Sequence, residues 1–97
     1  MPELIKEMKD DLLVDKQSLV RELFILPNHH VPFNSGGELY FCYYEDEHSN
    51  LLQKIKLLED YGYLNDITHT NVPKYRMNEL FVNFVINAEY ENKKIKL

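Results

Sequence analysis

The chain has 97 residues, 44% of them hydrophobic and 28% charged, with a formal net charge of −5 and a single cysteine. That length supports one hydrophobic core and no second, and the composition is that of a globular chain, not a disordered one. No apolar run is long enough to span a bilayer, and "MPELIKEMKDD" lacks the apolar stretch of a signal peptide. Cys42 has no internal disulfide partner and no Asn-x-Ser/Thr acceptor occurs, so a cytoplasmic protein without membrane contact is expected.

Residues 2–13 place Leu4, Ile5, Met8 and Leu12 at helical spacing, with Pro2 suited to a first turn. Asp15 can cap a second helix through "KQSLVRELFIL", where Leu19, Leu23 and Leu26 share a face, Val20 and Phe24 lie beside them, and Pro27 ends the run. Two helices and one bent helix fit this stretch equally. "NHHVPFNSGG" is a loop by composition. "ELYFCYYE" reads as a strand, with Leu39, Phe41 and Tyr43 on one face and Tyr40, Cys42 and Tyr44 on the other. A helix is the open alternative there, because short apolar runs are ambiguous.

The next helix has the most regular pattern. It starts at Glu47, His48 or Ser49 and repeats Leu51, Leu52, Ile55, Leu58 and Tyr61 at three- and four-residue steps. Gly62 suits the left-handed position that closes a helix, with Tyr63 and Leu64 folding back over the last turn. "DITHTNVPKYRM" predicts a β-hairpin with strands over 67–70 and 75–77 and a turn at Asn71-Val72-Pro73. Asn78 offers an N-cap for "ELFVNFVINAEYEN", where Phe81, Phe84, Val85 and Ala88 line one face; "KKIKL" reads as a frayed basic tail.

The order aromatic strand, helix closing on Gly-Tyr-Leu, hairpin, helix resembles a winged helix over about half the chain, residues 38–88. The likeness implies that 51–64 is the recognition helix, the hairpin the wing, and the helix from Glu79 the closing element. "YRMNELFVNF" is also similar to the cytosolic domain of superinfection-exclusion-type phage proteins, which would make this a phage or mobile-element protein. One departure from the winged-helix pattern bears on function. "ELYFCYYED" stands where a DNA-binding member has the first helix of its helix-turn-helix, and members that bind proteins often tolerate such changes.

Charge separates two candidate functions. The first 48 residues carry ten acids against four bases, −6, and the remainder six against seven, +1. Asn50, Gln53, Lys54 and Lys56 on the central helix, with His69, Lys74 and Arg76 on the hairpin, are types that reach base edges or phosphates. The plainer reading of the same residues is a solvated helix face and turn, and Glu45, Asp46, Glu47, Glu59 and Asp60 flank the same helix and oppose phosphate. Seven tyrosines without a tryptophan exceed the needs of so small a core. Tyr40 and Tyr44, beside Glu45, Asp46 and Glu47, therefore form a candidate protein interface.

Chemistry is sparse by the same inspection. His29, His30, His48, His69 and Cys42 have no metal-ligand spacing, so no metal is expected. No nucleophile elbow, phosphate loop or paired-carboxylate arrangement occurs. Cys42 in its aromatic run reads as an inert thiol, and "NSGG" serves equally as an anion-binding turn or a bare loop.

The expectation is one α+β domain over 1–97, with an N-terminal helical segment at 1–26 and a winged-helix-like core at 38–90. It would be a small regulatory or interaction protein without enzymatic activity or cofactor, binding a protein partner. A DNA-binding transcriptional regulator is the alternative. The apolar positions of 2–13 and 15–26 exceed what one small core covers and motivate a homodimer through them.

Overall fold

The structure, a computed structural model, describes residues 1–14, 19–33 and 39–88. The Asp15 cap, the Ser35-Gly36-Gly37 turn, Glu38 and the tail from Glu89 lie outside the described residues. Three helices and four strands follow in the order α1 (Pro2–Val14), β1 (Glu22–Leu26), β2 (Phe41–Tyr44), α2 (Leu51–Asp60), β3 (Leu64–Asp66), β4 (Lys74–Met77) and α3 (Glu79–Asn87). The strands form one mixed sheet in the order β2-β1-β4-β3. The β1–β2 pair is parallel, and the β1–β4 and β3–β4 pairs are antiparallel. This is a small α+β domain.

Strand β1 corrects the helix expected over 15–26. Leu23, Phe24, Ile25 and Leu26 are all buried, as an interior strand covered on both faces requires. Four consecutive apolar residues carry no period to tell such a strand from a buried helix. Leu23 and Ile25 join the main core. Phe24 points to the other face, where Phe33 and Tyr40, from the connection between the parallel strands, meet it edge-on at ring-centroid distances of 4.5 and 5.2 Å. Both this strand and the apolar face of α1 (Leu4, Ile5, Met8 and Leu12) are buried within the one chain, so most of the apolar surplus that motivated a dimer is covered.

All three helices supply the other layer of the main core. Leu4, Ile5, Met8 and Leu12 of α1, Leu51, Ile55 and Leu58 of α2, and Phe81, Val82 and Val85 of α3 pack with Leu23, Ile25, Phe41, Tyr43, Leu64 and Met77 of the sheet. Strand β2 alternates as expected, with Phe41 and Tyr43 buried and Cys42 and Tyr44 half-buried. Leu39 lies outside it and is exposed.

Local signals place the remaining elements. Helix α2 begins at Leu51, later than expected, because Asn50 before it takes a left-handed φ of 57° and makes no side-chain cap. Gly62, at φ 83°, closes the helix. Its N–H donates to the Glu59 carbonyl at 2.9 Å and that of Tyr63 to Leu58 at 3.0 Å, the paired bonds of a Schellman stop. Leu64 then enters β3 directly, so the first hairpin strand is Leu64–Asp66 and not 67–70. Beyond it Ile67 N–H still reaches the Lys74 carbonyl (2.9 Å), but at Thr68 the side chain replaces the backbone and Oγ1 accepts from Lys74 N–H at 2.8 Å. Asn78 Oδ1 caps α3 by accepting from Phe81 N–H at 2.8 Å. The buried face of α3 is Phe81, Val82 and Val85, whereas Phe84, expected on it, is 53% exposed. No helix among the described residues is long and apolar enough to cross a membrane.

Candidate functional site

Three of the four cations expected to meet phosphate, Lys56, Lys74 and Arg76, are engaged by neighbouring carboxylates. On β4, Lys74 is buried. Its ammonium lies 3.2 Å from Glu22 and 5.2 Å from the centre of the Phe24 ring. Arg76, opposite Glu22 in the β1–β4 register, meets the same carboxylate at 3.1 Å. Lys56 lies 3.5 Å from Asp60 and 3.7 Å from Glu59, and these acids raise its pKa, Asp60 most. Lys54 is half-buried, Gln53 and His69 are exposed, and Asn50 serves as a left-handed backbone position.

The residues of the predicted tyrosine interface fall in two neighbouring groups. Tyr40 packs on Phe24 and Phe33, in a small aromatic cluster behind the sheet. Tyr44 stacks on His29 with centroids 3.6 Å apart, and Glu45, Asp46 and Glu47 are exposed in the turn that follows β2.

A second aromatic surface was not singled out by sequence. Tyr61 lies 6.0 Å from Tyr63, and Tyr63 stacks on Phe84 at 5.9 Å with the rings 7° from parallel. Leu57 precedes Tyr61 by one turn of α2, and Leu80 precedes Phe84 by one turn of α3. Leu57, Tyr61, Leu80 and Phe84 are 42%, 66%, 76% and 53% exposed, so the row runs across the surface from α2 to α3. The Schellman stop at Gly62 builds it by turning Tyr63 back toward α3. In sequence Phe84 reads as core, because its spacing from Phe81 and Val85 fits a helix face either way.

A polar cluster sits at the carboxyl end of the parallel strands. Glu7 and Asp11, one turn apart on α1, face Tyr43 of β2 and His48 of the turn after it. Tyr43 OH donates to Asp11 Oδ2 at 3.0 Å, and His48 Nε2 lies 2.5 Å from Glu7 Oε1. His48 is buried, and Glu47 beside it places a carboxylate oxygen within 4.8 Å of both donor atoms. His29, from the loop after β1, approaches Glu47 at 3.5 Å. Burial pushes the Asp11 carboxyl up, aided by repulsion from Glu7 and Asp10 and opposed by the Tyr43 hydrogen bond. Burial, with the adjacent Asp11 charge, pushes Tyr43 well above its ordinary value. The Cys42 thiol is likewise pushed up by burial, which disfavours a nucleophilic thiolate.

Sequence reasoning met the histidines but not their partners, because Glu7 and His48 are 41 positions apart. No family model, curated protein or solved structure matches the chain.

Proposed function

We propose that this is a small, non-enzymatic interaction protein that binds a protein partner through the aromatic row of α2 and α3. The carrying observation is the line of exposed Leu57, Tyr61, Phe84 and Leu80, joined by the half-buried Tyr63. Contiguous exposed apolar surface of this kind characterises binding faces, and tyrosine and phenylalanine are enriched at interface cores. The layout of α2, hairpin and α3 is read as winged-helix-like, with the hairpin serving the domain and not nucleic acid. Supporting that, Glu22 occupies the hairpin cations Lys74 and Arg76, and Glu59 and Asp60 occupy Lys56 of α2, cations that a DNA-binding face would turn outward. The partner face would then be apolar and aromatic, distinct from the acidic turn at Glu45, Asp46 and Glu47.

A photo-crosslinking residue placed at Phe84, with a parallel placement at Asp46, tests this in the source cell. The expected outcome is a discrete protein adduct from position 84 that survives nuclease and is lost when Leu80 is changed to Ser. Adducts only from position 46, or adducts to nucleic acid, would refute the reading. An adduct at 84 to a second copy of the chain would identify the partner as itself.

A further inference from the structure

Independently of that reading, we propose that Glu7, Glu47 and His48 form a binding site for a divalent transition-metal cation of the zinc type, with His29 steadying Glu47. The three donor atoms lie within 4.8 Å of one another, so one ion can reach all three after small side-chain rotations. Zinc held at ordinary carboxylate and imidazole distances separates tetrahedral ligand atoms by roughly 3.5 Å. Glu7 Oε1 and His48 Nε2, now 2.5 Å apart, would therefore open by about an ångström to admit the ion between them.

The surroundings favour an ion more than a bare pair. Glu7 and Glu47 both bring a carboxylate oxygen to the His48 imidazole, and Glu7 repels Asp11 from the next turn of the same helix. A divalent cation between the two carboxylates offsets their mutual repulsion. His48 is fixed by burial between α1 and the end of β2.

The neighbouring loops are tied in place. Glu45 N–H donates to the Leu26 carbonyl at 2.9 Å and Asp46 N–H to the Pro27 carbonyl at 3.2 Å, so the turn carrying Glu47 is held to the end of β1. His29, oriented by its stack on Tyr44, presents Nδ1 to Glu47 at 3.5 Å. A nitrogen group holding a ligating carboxylate from behind is the usual support of a metal site. Mixed imidazole and carboxylate donors select zinc-type ions over magnesium or calcium, which prefer oxygen throughout. Three protein ligands leave a fourth position for water.

The test is titration of the metal-free full chain with zinc against a chromogenic chelator, repeated with cobalt for its visible spectrum. One equivalent of zinc should bind, unchanged by a hundredfold excess of magnesium. Glu47→Gln, on the exposed turn, and Glu7→Gln should each weaken binding roughly tenfold or more, with circular dichroism unaltered. His29→Ala should weaken it less. Cobalt should give the spectrum of a nitrogen and oxygen site without thiolate charge transfer. Failure to bind zinc saturably, equal binding by wild type and Glu47→Gln, or a thiolate band from Cys42 would each overturn the site and leave His48 and Glu7 an ordinary hydrogen-bonded pair.

Discussion

Among the described residues Tyr43 is the largest of the wholly buried side chains, and its hydroxyl donates to Asp11 at 3.0 Å. Both groups hold their protons more tightly in the folded chain than in the unfolded one. The sign of the pH dependence follows. As pH climbs past 10.0, an unfolded Tyr43 ionises while the folded one does not, so stability falls with rising pH. Asp11 acts in the same direction at acid pH, where its contribution declines as pH rises from 3.8 toward its raised folded value. Tyr43→Phe should cost about 1–2 kcal/mol at neutral pH, because it strips a half-buried carboxylate of its donor. It should also flatten the alkaline loss, and urea unfolding across a pH series measures both effects. An alkaline limb identical to wild type would show that Tyr43 does not set it. At this scale Gly62 was legible and Asp11 was not. A left-handed φ of 83° is a demand of the local backbone, with nothing else near the missing Cβ. The pairing of Asp11 with Tyr43 exists only after the chain has folded.

Among the elements, Asn78 joins two helix ends. Its Oδ1 caps α3, its Nδ2 donates to the Gly62 carbonyl at the end of α2, and its N–H donates to Tyr63 at 3.1 Å. Asn78→Ala should therefore cost about 1–2 kcal/mol, the upper range for losing a cap. Asn78→Asp keeps the acceptor for Phe81 but loses the donor to Gly62, so it should recover most of that loss and not all of it. Thermal unfolding of the three proteins separates the cap from the bridge; equal losses for Ala and Asp would assign the whole effect to the Gly62 contact. Caps also explain which elements sequence could reveal. Helices α2 and α3 were legible because Gly62 and Asn78 mark their ends and apolar residues mark their inward faces. The β1 strand was not, because "ELFIL" is buried on both sides and its neighbours in the sheet, β2 and β4, come from distant parts of the chain. The hairpin was recognised but started late, since the pattern of β-branched residues at 67–70 belongs to a loop where Thr68 substitutes for the ladder.

Across the whole molecule, the distribution of charge bears on the two partners weighed from sequence. The excess of acid lies in the first half of the chain, and three of the four cations of α2 and β4 face carboxylates: Glu22 takes both Lys74 and Arg76, and Glu59 and Asp60 take Lys56. Transfer of any of these to phosphate would first break an ion pair and leave a carboxylate beside the DNA. Each phosphate contact contributes about 0.9 to the salt slope, so Lys54, Lys56, Lys74 and Arg76 together would give weak binding that vanishes as salt rises. Duplex DNA titrated at low and near-physiological salt should therefore show no saturable complex under the latter condition. A Lys54→Ala, Lys56→Ala, Arg76→Ala triple variant should behave alike and keep the adduct formed at position 84. The triple variant matters because a dimer doubles the cations available to one duplex, and only direct removal of those charges separates that case from a protein-binding face. Sequence-selective binding at nanomolar affinity, abolished by the three changes, would make this a DNA-binding regulator whose carboxylates release their cations on contact with the duplex.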